Sequence, residues 1–220
     1  MTLEGIDVSV FQGVIDWPAV AAGGITFAVC RATVGLGVDP SFLTNVRGAR
    51  AAGLLVGAYH AFETSKDPVA QAKRFASVCA GTLDLAQFLD FEGGCKGLAP
   101  GYGLGLARKF CETADTLFVK TTGIYSFPFF WRGLVAELPP QSTAADWCAS
   151  VPFWLALYPG KPNPEPLKPF SSVDLHQYSG DSTNVPGVKA PCDRDRFYGT
   201  VDELRAVGAY IPASETGDAT

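Results

Sequence analysis

A single-domain α/β fold, a TIM-like (β/α) barrel, is predicted by three observations. Strand patterns and helix patterns alternate from the first residues onward, which implies a parallel sheet with crossover helices. The 220 residues contain no low-complexity linker and are 47% hydrophobic, a size and composition suited to one barrel with a full core. Acidic residues recur where apolar strand runs end, the place where barrels collect reactive groups. An open doubly wound sheet is the structural alternative, but no glycine-rich phosphate loop follows the first strand. Residues 1–210 read as the barrel, and 211–220, small and polar, as a disordered tail.

Ile6-Asp7-Val8-Ser9-Val10 alternates apolar and polar residues and reads as the first strand. Asp16-Trp17-Pro18 opens a short helix, with Asp16 as its N-cap. Ile25 to Ala32 is a nearly continuous buried-strand run, and Phe42, Val46 and Ala49 then recur at helical spacing up to Gly53. Leu54 to His60 is the third strand, and Asp67-Pro68 starts a helix whose apolar face is Ala72, Phe75, Ala76 and Cys79. Gln87 to Glu92 is the fourth strand. Leu104, Ala107, Cys111, Ala114 and Phe118 then form a helical seam, followed by the strand Gly123 to Ser126. Phe127 to Glu137 reads as a helix, Val151 to Tyr158 and Val173 to Tyr178 as strands, and Lys161 to Pro166 as a proline-rich loop. Thr200-Val201-Asp202-Glu203 fits a capping box for a last helix ending before Gly208.

Net charge is −5 with no Lys/Arg cluster, which argues against nucleic acid as a partner. No apolar run approaches the ~20 residues of a membrane span. The first residues enter a strand pattern without the basic and apolar segments of a signal peptide. Synthesis without a leader, or a leader already removed, is therefore expected. The six cysteines are scattered, without C-x-x-C, and only two histidines are present, so no metal or cofactor is expected. Most of the thiols read as buried; Cys95 and Cys192 lie in loops beside acids and leave a disulfide open.

The chemistry concentrates at Gln87-Phe88-Leu89-Asp90-Phe91-Glu92-Gly93-Gly94. Alternate strand residues share a face, which puts Asp90 and Glu92 together, with α-carbons roughly 6.6 Å apart. Each carboxyl then influences the other's proton, so one can stay ionised while the other stays protonated. An acid beside an anion is what glycosidic cleavage requires: a proton for the leaving oxygen and negative charge near the anomeric carbon. Taken alone, D-x-E is more often a solvated strand end. The apolar run before it and the glycine pair after it favour a site.

Read together, the motifs resemble the glycoside hydrolase family 25 lysozymes, the Chalaropsis-type muramidases of bacteria, phages and fungi. The resemblance runs from Gly5 to about Gly199. It rests on Gly5-Ile6-Asp7-Val8-Ser9 with Gln12-Gly13 and Ile15-Asp16-Trp17, Val56-Gly57-Ala58-Tyr59-His60, Leu89-Asp90-Phe91-Glu92, Gly123-Ile124-Tyr125, Trp154 to Tyr158, Gln177-Tyr178-Ser179, and Val185-Pro186-Gly187 leading to Asp193 and Phe197. It implies an irregular barrel that cuts the β-1,4 bond between N-acetylmuramic acid and N-acetylglucosamine in peptidoglycan. It also implies Glu92 as general acid and Asp90 as the group assisting the substrate's N-acetyl oxygen, a protein-nucleophile mechanism remaining open. Asp7 and Asp193 match two further acids that hold substrate and tune Glu92, and negative neighbours independently favour a protonated Glu92. Tyr59, Tyr125, Trp154 and Tyr158 are candidates for stacking on sugars.

Two departures concern substrate detail: Arg31-Ala32-Thr33-Val34-Gly35 lacks an acid usual at Val34, and His176 stands where tryptophan is usual. Asp174 reads as a structural carboxylate. The setting expected is an endolysin released by a phage, or an enzyme secreted after leader removal, acting as a monomer with no wall-binding repeat visible after residue 199. The main rival is a non-catalytic glycan-binding or inhibitory protein on the same barrel. A peptidase or amidase using Cys30 is weaker, because that thiol sits mid-strand without a polar activator.

Overall fold

The structure, a computed structural model, describes residues 1–158 and 162–209. The tail read as disordered, and Lys161 at the head of the proline-rich loop, lie outside the described residues. The chain runs through β1 (Leu3–Val8), α1 (Trp17–Ala22), β2 (Ile25–Val34), β3 (Gly37–Val38), α2 (Phe42–Ala51), β4 (Leu55–Ala61), α3 (Pro68–Cys79) and β5 (Gln87–Asp90). It continues through α4 (Tyr102–Phe118), β6 (Gly123–Ser126), α5 (Pro128–Ala136), β7 (Phe153–Ala156), β8 (Leu175–Ser182), β9 (Cys192–Phe197) and α6 (Val201–Ala206).

Eight of the strands close into a barrel in the order β1-β2-β4-β5-β6-β7-β8-β9, with β9 returning to β1. Pairings from β1 through β8 are parallel, and β9 runs antiparallel to both its neighbours. The short β3 is an antiparallel addition to β2. This is the expected barrel, made irregular by its last strand. Among the described residues no helix is long and apolar enough to cross a membrane.

Local chemistry places the helices where the sequence predicts them. Asp16 caps α1 by accepting from Ala19 N at 3.2 Å, and Asp67 caps α3 by accepting from Ala70 N at 2.6 Å. Thr200 and Glu203 form the reciprocal cap that opens α6. The helices bury Trp17, Val46, Phe75, Leu104, Phe110 and Trp131 in the layer outside the barrel. Several boundaries differ from expectation, among them the strand expected from Val173 to Tyr178, which runs over Leu175–Ser182. The first strand stops at Val8, because Ser9 caps a 3-10 turn over Val10–Gln12. The run expected as a strand from Val151 shortens to Phe153–Ala156.

The inward positions of the strands change character along the barrel axis, and that change positions the site. Leu3, Phe27, Phe88, Leu175 and Phe197 form a separate buried cluster with Trp154. Two residues further up four of these strands, toward the carboxyl ends of the parallel ones, the same face presents Gly5, Val29, Asp90 and Gln177. Glycines make room for the lower aromatic rings: a Cβ at Gly5 would collide with the Phe27 ring, and one at Gly123 with the Phe88 ring. Aromatic packing therefore plugs the lower barrel and leaves the upper end polar.

The strand β9 escapes the sequence reading altogether. Its residues Cys-Asp-Arg-Asp-Arg-Phe carry no apolar alternation. Its carboxylates face into the barrel, and its arginines lie outside against Tyr178 and Glu4. The Arg196 guanidinium lies 3.8 Å over the Tyr178 ring and its Nε donates to Glu4 Oε1 at 2.7 Å, while Tyr178 OH donates to Glu4 Oε2 at 2.6 Å.

Candidate active site

The upper ends of the barrel strands converge on one pocket of about 170 Å³. It is lined by Asp7 of β1, Arg31 of β2, Tyr59 of β4, Asp90 of β5, Tyr125 of β6 and Trp154 of β7. Gln177 of β8, Asp193 of β9 and Glu92, just past β5, complete the wall. Because β9 is antiparallel, its beginning rather than its end lies at this rim, and so Asp193 joins the acids of the parallel strands. Seven of the residues singled out from the sequence are thus brought together. Tyr158 stands half exposed beside them, its hydroxyl donating to Gln177 Oε1.

Asp90 and Glu92 reach the pocket differently from the shared strand face expected. The strand β5 ends at Asp90; Phe91 turns into the core, its N–H bonded to Tyr125 O at 3.0 Å, and Glu92 leaves the sheet at the pocket mouth. Gly94, at a φ of 77°, completes the turn in a conformation that other residues avoid. The Oδ1 atom of Asp90 is buried with no hydrogen-bond partner among the described residues.

Closure of the barrel builds a polar network that no single motif displays. Asp7 lies directly opposite Asp193 in the β1–β9 ladder, and Asp195 lies opposite Gly5, so three carboxyls share one face. Gln177 is the organiser: its Nε2 donates to Asp7 Oδ2 at 2.7 Å and more distantly to Asp193 Oδ2 at 3.4 Å. Its Oε1 accepts from Tyr125 OH at 3.0 Å as well as from Tyr158. Trp154 is fully buried in the floor, and its Nε1 donates to Asp195 Oδ1 at 2.8 Å. Asp193 Oδ1 is held by the Asp181 N–H at 2.8 Å.

Five carboxyls in so small a volume cannot all be ionised. Burial, then the charge of Asp193, pushes Asp7 up to about 8, although the hydrogen bond from Gln177 pulls it down. Burial followed by the Asp7 charge raises Asp195 well above the carboxylate range. Asp90 is raised by burial and then by Glu92 and Asp7, with Arg31 acting in the opposite direction. Glu92 is raised first by partial burial of its carboxyl and second by Asp193. Desolvation thus outweighs the neighbouring charges emphasised by the sequence. Arg31 is itself engaged, its Nε bonded to Asp39 Oδ2 at 2.8 Å, so it only partly offsets the acids.

The rival chemistries have no comparable arrangement. Cys30 is fully buried and its thiol is pushed far up by burial, the reverse of what a nucleophile needs. His60 is bound by Thr33 Oγ1 at 2.6 Å and Gln71 Oε1 at 3.1 Å, and burial lowers it to about 4. His176 contacts Tyr198 OH and Leu157 O. All six cysteines are free, Cys95 and Cys192 included. Asp174 accepts from Phe153 N at 2.8 Å, a structural contact.

Sequence reading misses Gln177 and Arg31 as parts of this wall, and Asp195 buried behind it. Asp195 was within reach: Asp193-Arg194-Asp195 has the same two-residue spacing as Asp90 and Glu92. Gln177 carries no such signal, since its partner Asp7 is 170 residues away.

An acid held toward its protonated form beside further carboxylates, at the carboxyl end of a closed (β/α) barrel, defines a glycoside hydrolase. The comparisons agree. The family model described as glycosyl hydrolases family 25 matches residues 6–188, and the chain belongs to that family. It is 31% identical over 224 residues to lysozyme M1 of Streptomyces globisporus, covering 93% of this chain and 71% of that one. The fold matches the bacterial lysozyme from Streptomyces coelicolor with a TM-score of 0.81 at 29% identity, over 94% and 97% of the two chains. A family 25 lysozyme from Aspergillus fumigatus matches with a TM-score of 0.79 at 25% identity, over 96% and 100%.

Proposed function

We propose that this hydrolase is a muramidase that cuts the β-1,4 bond between N-acetylmuramic acid and N-acetylglucosamine of peptidoglycan, with Glu92 as general acid and Asp90 as its partner. The observation that carries the assignment is the contrast between the two carboxyls. Glu92 stands at the pocket mouth with its proton favoured, and Asp90 lies deeper with one buried oxygen free to accept a hydrogen bond. Burial raises Asp90 more strongly than Glu92, with Arg31 acting in the opposite direction, so in this mechanism the anion on Asp90 is stabilised by the acetamido N–H it accepts when the sugar binds.

Glu92 protonates the glycosidic oxygen as the bond to the anomeric carbon breaks. The carbonyl oxygen of the substrate's own acetamido group attacks that carbon, while Asp90 accepts the acetamido N–H and stabilises the positive charge that develops. Glu92, now a carboxylate, removes a proton from the water that opens the cyclic intermediate, which returns the enzyme to its starting state with the anomeric configuration retained. Asp7 and Asp193, oriented by Gln177, hold sugar hydroxyls, and Asp193 helps to keep Glu92 protonated. Tyr59, Tyr125 and Tyr158 shape the walls, and Trp154 forms the floor. The enzyme acts at the cell wall as a monomer, as a released endolysin or after export.

Mass analysis of fragments from purified peptidoglycan tests this function. Glycan pieces ending in reducing N-acetylmuramic acid are the expected products. Pieces ending in reducing N-acetylglucosamine, cut peptides or an intact glycan would contradict it.

A further inference from the structure

The catalytic pocket does not end at its carboxylates. A second cleft of about 360 Å³ shares Asp7, Arg31, Tyr59 and Asp193 with it and extends to Phe11, Gln12 and Pro191. Phe11 stands on its wall with 73% of its surface exposed. A lone exposed phenylalanine is unremarkable, but the way this one is held is not.

The turn that presents Phe11 is fixed on three sides. Ser9 N donates to Gln12 Oε1 at 2.8 Å and Phe11 N donates to Ser9 Oγ at 3.3 Å, closing the cap. Gln12 Nε2 donates to Pro191 O at 2.9 Å, which ties the turn to the segment leading into β9. Val10 N donates at 3.0 Å to Asp39 Oδ2, an atom that also accepts from Arg31 Nε. Asp39 is 3% exposed, so a buried carboxylate fastens both the turn and the arginine. The Arg31 guanidinium carbon in turn lies 4.8 Å from the Phe11 ring centroid. A cation supports the ring, and much of the ring's surface remains open.

A pyranose has an apolar face of ring hydrogens and an edge of hydroxyl and acetamido groups. The cleft has the complementary parts: one rigid aromatic face, and around it the Ser9 hydroxyl, the Gln12 amide and the Asp181 carboxylate. We infer that Phe11, backed by Arg31 and Asp39, is the stacking platform of a second sugar subsite, which grips a ring of the glycan strand beyond the sugar being cut. This subsite rests on the glycan-cleaving function proposed above. Because the turn that carries the ring is already fixed before substrate arrives, little backbone freedom is lost on stacking.

The test is the release of reducing ends from soluble peptidoglycan glycan strands by the wild-type chain, Phe11→Ala and Phe11→Trp, with kcat, KM and melting temperature measured for each. Phe11→Ala is expected to raise KM about tenfold, with kcat nearly unchanged and the melting temperature unmoved. Phe11→Trp is expected to restore the wild-type KM. An unchanged KM in Phe11→Ala, or a loss of kcat that follows a loss of stability, would overturn the subsite. A wild-type chain that released no reducing ends would overturn the cleavage function itself, and the subsite with it.

Discussion

A carboxyl serves as a catalytic acid at neutral pH only if its surroundings keep the proton that water would take. Around Glu92 that role falls first to burial and then to Asp193. In the proposed mechanism Asp90 faces a different demand, the orientation of an acetamido group. Asp90→Asn is therefore expected to lower kcat by about a hundredfold or more. Wild-type turnover is expected to fall as steeply on glycan whose acetamido groups have been converted to amines; full rates on that substrate would rule out the neighbouring-group route. Asp195 shows the energetic side of the same crowding. Its Oδ1 accepts from Trp154 Nε1, while its Oδ2 is buried with no hydrogen-bond partner among the described residues. An asparagine would still accept from Trp154 without a charge to bury. Asp195→Asn is expected to fold, to keep Trp154 paired, and to gain about 1–3 kcal/mol at pH 7.5 by thermal melting. A variant less stable than wild type there would show that the carboxyl is needed for the fold.

At the scale of elements, β9 separates what the sequence displays from what only the fold reveals. Alternating strands and helices, the caps Asp16, Asp67 and Thr200, and the acids at strand ends are local patterns, and all are legible. The β9 segment reads as a charged loop because neither of its faces is uniformly apolar. Its inward acids belong to the site, and its outward arginines cover Tyr178 and share Glu4. These ion pairs are about a quarter exposed, so Coulomb attraction is damped and the flat stacking on tyrosine matters as much. Arg196→Ala is expected to cost about 1 kcal/mol and lower the melting temperature by about 2–4 °C, with lysine restoring only part of it. An unchanged melting temperature would show that this outer face adds nothing to barrel closure. Gln177 was visible as part of a motif but its role was not, for a related reason: that role exists only once β1, β8 and β9 meet.

Across the whole molecule, the barrel couples stability to pH through the acids it gathers. Asp7, Asp90, Glu92, Asp193 and Asp195 all have folded pKa values raised above their unfolded ones. Each contributes most to stability below about pH 4, and that contribution is lost as the pH rises toward the folded value. The two histidines act oppositely: their folded values are lowered, so stability is lost as pH falls below about 6.5. Above that point the acids act, Asp7 being pushed up to about 8, and the buried thiols, also raised, act in the same direction as the pH nears their unfolded value. The melting temperature is thus expected to fall between pH 6.5 and 8; a flat or rising profile would mean that the acids are not strained. In the proposed mechanism catalysis is the return for that strain, and it depends on one proton at Glu92. The most direct measurement is peptidoglycan turnover by wild type and Glu92→Gln at pH 6.5, with melting curves for both. Glu92→Gln, with no proton to give, is expected to melt as wild type does or slightly higher while its kcat drops by about a thousandfold. Near-normal turnover by the correctly folded variant would contradict the assignment of Glu92 as the acid.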